Sequence, residues 1–126
     1  MNLRNLFLIN MFVALIFSLA LLLGPDILLT KFGMKIGPSE NLMAQFLGAA
    51  LVIPALLSWF AKDFNEAGAK RAVTVSFFLF YAVGFVVALL GILSEAMKSS
   101  GWAVVIIFLA LALGYGYFLF MKPSEM

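Results

Sequence analysis

Residues 72–93 read AVTVSFFLFYAVGFVVALLGIL, twenty-two consecutive positions without an Asp, Glu, Lys or Arg. At 1.5 Å of rise per residue a helix of this length measures about 33 Å, enough to cross a hydrocarbon core about 30 Å thick. One charge at mid-bilayer costs roughly 2.5–3.5 kcal/mol on the insertion scale, so a run this long and this clean is what a transmembrane helix requires.

Three further runs share the property, at 6–23, 42–61 and 102–121. The spacing predicts an all-α polytopic membrane protein, an antiparallel four-helix bundle in one domain over 1–126, with left-handed crossings and short loops. The whole chain is 65% hydrophobic and 11% charged, against roughly 45–50% and about 25% in soluble domains. Arg4 followed by an apolar stretch, with Ser18 and Ala20 downstream, has some features of a cleavable signal. The run continues to Leu23, however, and reads as a retained first span.

There is no Cys and no His, so disulfides, thiolate nucleophiles, imidazole bases, Cys/His zinc sites and histidine-ligated haem are excluded. No metal and no cofactor is expected. The net charge of +2 reflects loop lysines and arginines, not a nucleic-acid surface. The loops are short enough for the positive-inside bias to apply. Arg4, Lys62, Lys70, Arg71 and Lys122 lie on one side, Lys31, Lys35 and Lys98 on the other, which places both termini in the cytoplasm and the chain in the cytoplasmic (inner) membrane.

The first span should stop at Gly24-Pro25, with Gly24 in a left-handed cap and Pro25 preventing continuation. Asp26 to Phe32 reads as a short interfacial segment: Ile27, Leu28, Leu29 and Phe32 toward the headgroup boundary, Asp26 and Lys31 toward water. Ser39 is expected to cap the second span and Asp63 or Asn65 the third. Trp59 and Trp102 mark opposite membrane boundaries.

Small residues recur four apart at Ala44 and Gly48, Gly84 and Ala88, Ala110 and Gly114, and Ala112 and Gly116, a spacing that lets helices approach closely in lipid. The second, third and fourth spans are therefore expected to pack tightly, and Pro54 to adjust or kink the second. Counted inward from the predicted cytoplasmic boundary, Asn10, Ser58, Ser76 and Tyr115 fall within about 4–9 Å of it at 1.5 Å per residue. They would line a shallow polar pocket, with Tyr81 below them near mid-bilayer. Gln45 lies alone toward the other face.

No Asp, Glu, Lys or Arg falls inside a span, and membrane-embedded groups of this kind are the relays of proton-coupled pumps. The glutamate that small multidrug exporters carry in their first span is missing, and so is the pore motif of fluoride channels of this size. Four-helix eicosanoid and glutathione enzymes rely on Arg, Glu and Asn clusters along the second helix, where this chain has only Gln45. Tyrosine, with a pKa near 10, is poorly suited to proton transfer at neutral pH. No catalytic residue is predicted.

The Gly-Pro end of the first span, the turn Leu28-Leu29-Thr30-Lys31-Phe32-Gly33, the small-residue stretch Gln45-Phe46-Leu47-Gly48-Ala49 and Trp102 together resemble the DoxX-like group of small four-helix bacterial membrane proteins. Its members are mostly uncharacterised, and some associate with membrane redox complexes. The resemblance implies the fold and transfers no catalytic residue. Two functions follow as expectations: an accessory or structural subunit of a larger membrane complex, or an oligomeric transporter, channel or lipid-binding protein using the polar layer. The expected partners are the bilayer and other membrane subunits or further copies of the chain, with no nucleic acid.

Overall fold

The computed structural model describes residues 2–31, 33–34, 37–95 and 98–122. Phe32 of the interfacial segment, Lys35 of the charge count and the tail with Glu125 lie outside them. The elements are α1 (Leu3–Leu23), α2 (Pro25–Lys31), α3 (Pro38–Ala61), α4 (Ala67–Leu93) and α5 (Trp102–Phe120), with a short 3-10 turn at Ser99–Gly101 before α5. Four of these helices, α1, α3, α4 and α5, are long and apolar enough to cross a membrane. The chain is a small integral membrane protein.

Helix ends follow local chemistry more closely than the limits of the apolar runs. Asn2 caps α1, its side chain accepting the Asn5 N–H at 2.9 Å. The end of α1 differs from expectation: Gly24 has φ −143°, not a left-handed conformation, and Pro25 starts α2 directly. A proline cannot donate to the preceding turn but suits the first position of a new helix, so the break rests on Pro25 alone. The left-handed glycine is Gly33, at φ 77°, where a Cβ would lie 2.2 Å from the Lys98 side chain. Ser39 is not the cap of α3. Pro38 takes the first helical position, which moves the cap back to Gly37, and Glu40 accepts the Gly37 N–H at 3.0 Å. Neither Asp63 nor Asn65 caps α4; Glu66 does, its carboxylate accepting from Gly68 and Ala69, both at 2.8 Å. The helix therefore starts five residues ahead of the apolar run.

The helices form two antiparallel hairpins, α1 with α3 and α4 with α5. In the first, Gly48 lets the backbones meet: a Cβ there would come within 3.0 Å of both the Ser18 carbonyl and the Leu21 Cβ, and the Ser18 hydroxyl donates to the Gly48 carbonyl at 2.7 Å. In the second, the Phe108 ring fills the space that a side chain at Gly84 would need, and Phe78 lies against Gly116. The small face of the second span thus packs on the first span, not on the third. Ala44, Gly48 and Ala88 are buried and Gly84 and Gly114 half-buried, with Leu6 against Gly114. Ala110 is exposed. Helix α5 turns Leu111, Ala112, Tyr115 and Gly116 inward, which carries position 110 to the outside of the 3.6-residue turn. Pro54 is buried within α3, which continues through it.

Two cores result. At the end that carries the chain termini, all four spans share one, built on Leu6, Phe7, Ala61, Val73, Phe77, Leu111 and Phe118. At the opposite end a smaller core of Leu21, Ala44 and Leu51 belongs to the first hairpin, with Phe17 and with Leu28 and Leu29 of α2 packed on it. Of the apolar residues expected at the headgroup boundary, only Ile27 among those described is strongly exposed.

Candidate functional site: a buried polar hub

Where the four spans converge, each contributes one polar side chain. Asn10 of α1 donates through Nδ2 to the Ser58 Oγ of α3 at 2.8 Å. The Tyr81 hydroxyl of α4 donates to the Asn10 Oδ1. The Tyr115 hydroxyl of α5 lies beside Asn10 and Ser58 but has no hydrogen-bond partner. All four side chains are buried, and Asn10, Ser58 and Tyr115 are 0% exposed.

Aromatic rings enclose this hub. Tyr81 and Tyr115 are parallel to within 3° at a centroid distance of 6.3 Å. Phe77 lies 5.3 Å and Phe7 5.8 Å from Tyr115, and Phe108 meets Tyr81 edge-on at 5.3 Å. Offset and edge-to-face pairs of this kind add to the burial energy of the rings.

The hub corrects the predicted pocket in three respects. It is closed by the surrounding rings and does not open as a shallow pocket. Ser76 is not part of it: the side chain is exposed and its hydroxyl donates to the Ala72 carbonyl at 2.8 Å, because Val73 and Phe77 take the inward face of that turn. Tyr81, placed below the layer by residue count, belongs within it. Helical side chains lean toward the N-terminus of their helix, so on the antiparallel α4 and α5 the two tyrosines lean toward each other's level.

Four further features were not anticipated. Thr74 is buried, its hydroxyl donating to the Lys70 carbonyl at 2.7 Å, which satisfies it locally. The Ser18–Gly48 bond joins a hydroxyl to a backbone carbonyl, and residue identity alone does not announce such a pair. The Asn41 Oδ1 is buried without a partner, one turn before the half-buried Gln45. At the termini end, Lys62 bonds Asp63 at 2.6 Å and lies 4.0 Å above the Trp59 ring, while Arg4 reaches Asp63 at 3.5 Å. The Lys62 hydrogen bond, with a further contribution from Arg4, holds the Asp63 carboxyl below its ordinary value of 3.8. Trp59 and Trp102 are both partly exposed, at opposite ends of the bundle.

Outside the hub, an open apolar groove of about 440 Å³ runs between α2 and the start of α3, lined by Leu21, Leu29, Met43 and Leu47 with Ser39 and Glu40 at its edge.

With the helices and hub in place, the chain can be set against known proteins. Residues 1–121 match the family described as "Domain of unknown function (DUF8292)". The chain belongs to the DUF8292 family. No curated protein and no solved structure matches it. For this DUF8292 chain, chemistry must therefore be read from the side chains themselves. The hub offers an amide and three hydroxyls, which bind and orient through hydrogen bonds but supply neither a charge nor a nucleophile activated by a neighbouring base.

Proposed function

We propose that the protein is a non-catalytic accessory or structural subunit that docks, within the plane of the membrane, against a larger membrane complex. The observation that supports this most is the disposition of α4. It is the longest helix and the least buried of the four spans. Its outward positions Leu79, Val83, Val86, Leu90 and Leu93, spaced alternately four and three residues apart, are each more than half exposed. That spacing forms a continuous ridge along one helix face, the pattern helices use to pack on one another. The polar side chains of the hub are turned inward, which leaves this ridge no group with which to handle a solute. The resemblance to DoxX-like proteins, some of which associate with membrane redox complexes, points in the same direction.

A photo-crosslinking residue placed at Val83 or Val86 and activated in native membranes tests the proposal. A covalent adduct with a different membrane polypeptide is expected. Adducts formed only with lipid, or only with a second copy of the chain, would overturn it.

The second reading, a lipid-binding or transport protein of the inner membrane, is favoured by one observation, the groove beside α2. Apolar walls with a few polar groups at one edge are typical of sites for small apolar molecules. A lipid retained in stoichiometric amount after extraction, and lost on Leu21→Trp, would favour this reading over docking.

A further inference from the structure

We propose that the hub is a binding site for one ordered water molecule, held by the Tyr115 hydroxyl together with Ser58 and Asn10. The three hydroxyls and the Asn10 amide carry five donor hydrogens between them. Two are engaged, in Tyr81 to Asn10 and in Asn10 to Ser58. The Tyr115 hydroxyl is fully buried and makes no hydrogen bond of normal geometry, although Asn10 and Ser58 lie close enough to act on it. Inside a bilayer there is no bulk water to satisfy such a group, and a hydrogen bond left unmade there is costly. A buried water makes two to four hydrogen bonds to groups that would otherwise lack them, and it can both accept and donate. It would accept from Tyr115 and from the free donor of Ser58 or of the Asn10 amide, and donate to the lone pairs that remain.

The surroundings determine the size and charge of the occupant. Phe7 and Phe77 pack against Tyr115 and Phe108 against Tyr81, and the four hub side chains are buried, so the site suits a small occupant. The hub has no carboxylate, so nothing in it would neutralise a desolvated cation. Water meets both conditions.

Crystals grown in a lipid mesophase and diffracting well enough to show ordered solvent would test this directly. A density peak within hydrogen-bond distance of the Tyr115 hydroxyl and of Ser58 Oγ or Asn10 Nδ2 is expected. A Tyr115 hydroxyl bonded straight to Ser58 or Asn10, with no peak between them, would overturn the proposal. Tyr115→Phe keeps the ring and supplies an independent reading by steric trapping in bicelles. Loss of the bridging water should lower the folded-to-unfolded ratio about tenfold. A ratio that is unchanged or higher would mean that the hydroxyl had no partner to lose, and would also overturn the proposal.

Discussion

The two ends of the bundle are held together in different ways. At the termini end, all four spans close on one core and one polar hub, where the Tyr81 to Asn10 hydrogen bond ties the second hairpin to the first. At the opposite end the first hairpin has its own small core and the second buries, among the described residues, only small side chains such as Ala88 and Val105, while the Lys98 side chain over Gly33 brings the two connections together. Both ends draw on the same apolar composition. Hydrophobicity, which is satisfied equally well by lipid, does not choose between one core and two; steric fit and polar pairing do.

Asn10→Leu should have the largest effect. It removes both bonds of the amide and leaves the Ser58 and Tyr81 hydroxyls buried and unpaired, a loss of about 2 kcal/mol by steric trapping or denaturant titration. If the variant is as stable as the parent, the termini end is held by packing alone and the contrast between the two ends disappears.

Next in size is Gly48→Ala. The new Cβ meets backbone, the Ser18 carbonyl at 3.0 Å, so relief requires the helices to move apart, at about 1–2 kcal/mol. Gly84→Ala meets the half-buried Phe108 ring, a side chain and not backbone, and should cost less. Measured on the same assay, the reverse order would show that the second hairpin is the more tightly packed.

Much of the fold was legible from absence of charge: four uncharged runs, each long enough to span, gave four helices, and polar connections gave the turns. The side chains of the hub were partly legible. Residue counting placed Asn10, Ser58 and Tyr115 at one level, but it measured Cα positions and ignored the lean of long side chains, which brings Tyr81 into the hub. Ser76 failed for a different reason. Depth was known but rotation about the helix axis was not, and in a span apolar on every side no amphipathic pattern reports which way a serine faces. Ala110 was misread on the same ground. The caps failed where a proline or a glutamate displaced the expected Ser, Asp or Asn.

Smaller effects are expected at the ends of α4. Glu95 follows α4 with φ 65°, a conformation suited to glycine, so Glu95→Gly should stabilise the opposite end by about 0.5 kcal/mol in thermal unfolding. A destabilised variant would mean that the Glu95 side chain makes a contact worth more than the strain. Smallest is the acid dependence from Asp63. Because its carboxyl titrates below the ordinary value when folded, its pairing with Lys62 and Arg4 contributes fully above about pH 4 and fades as pH falls through the folded value. Asp63→Asn should flatten that part of the pH–stability curve and leave neutral pH nearly unchanged, since the carboxylate is largely exposed.

The hub as the tie between the hairpins is tested most directly by a double-mutant cycle of Asn10→Ala with Tyr81→Phe, measured by steric trapping in bicelles. A coupling energy of about 0.6–1.7 kcal/mol is expected, within the range of hydrogen bonds between membrane helices. Strictly additive losses would contradict it, and would mean that Asn10 and Tyr81 are neighbours without holding the two hairpins together.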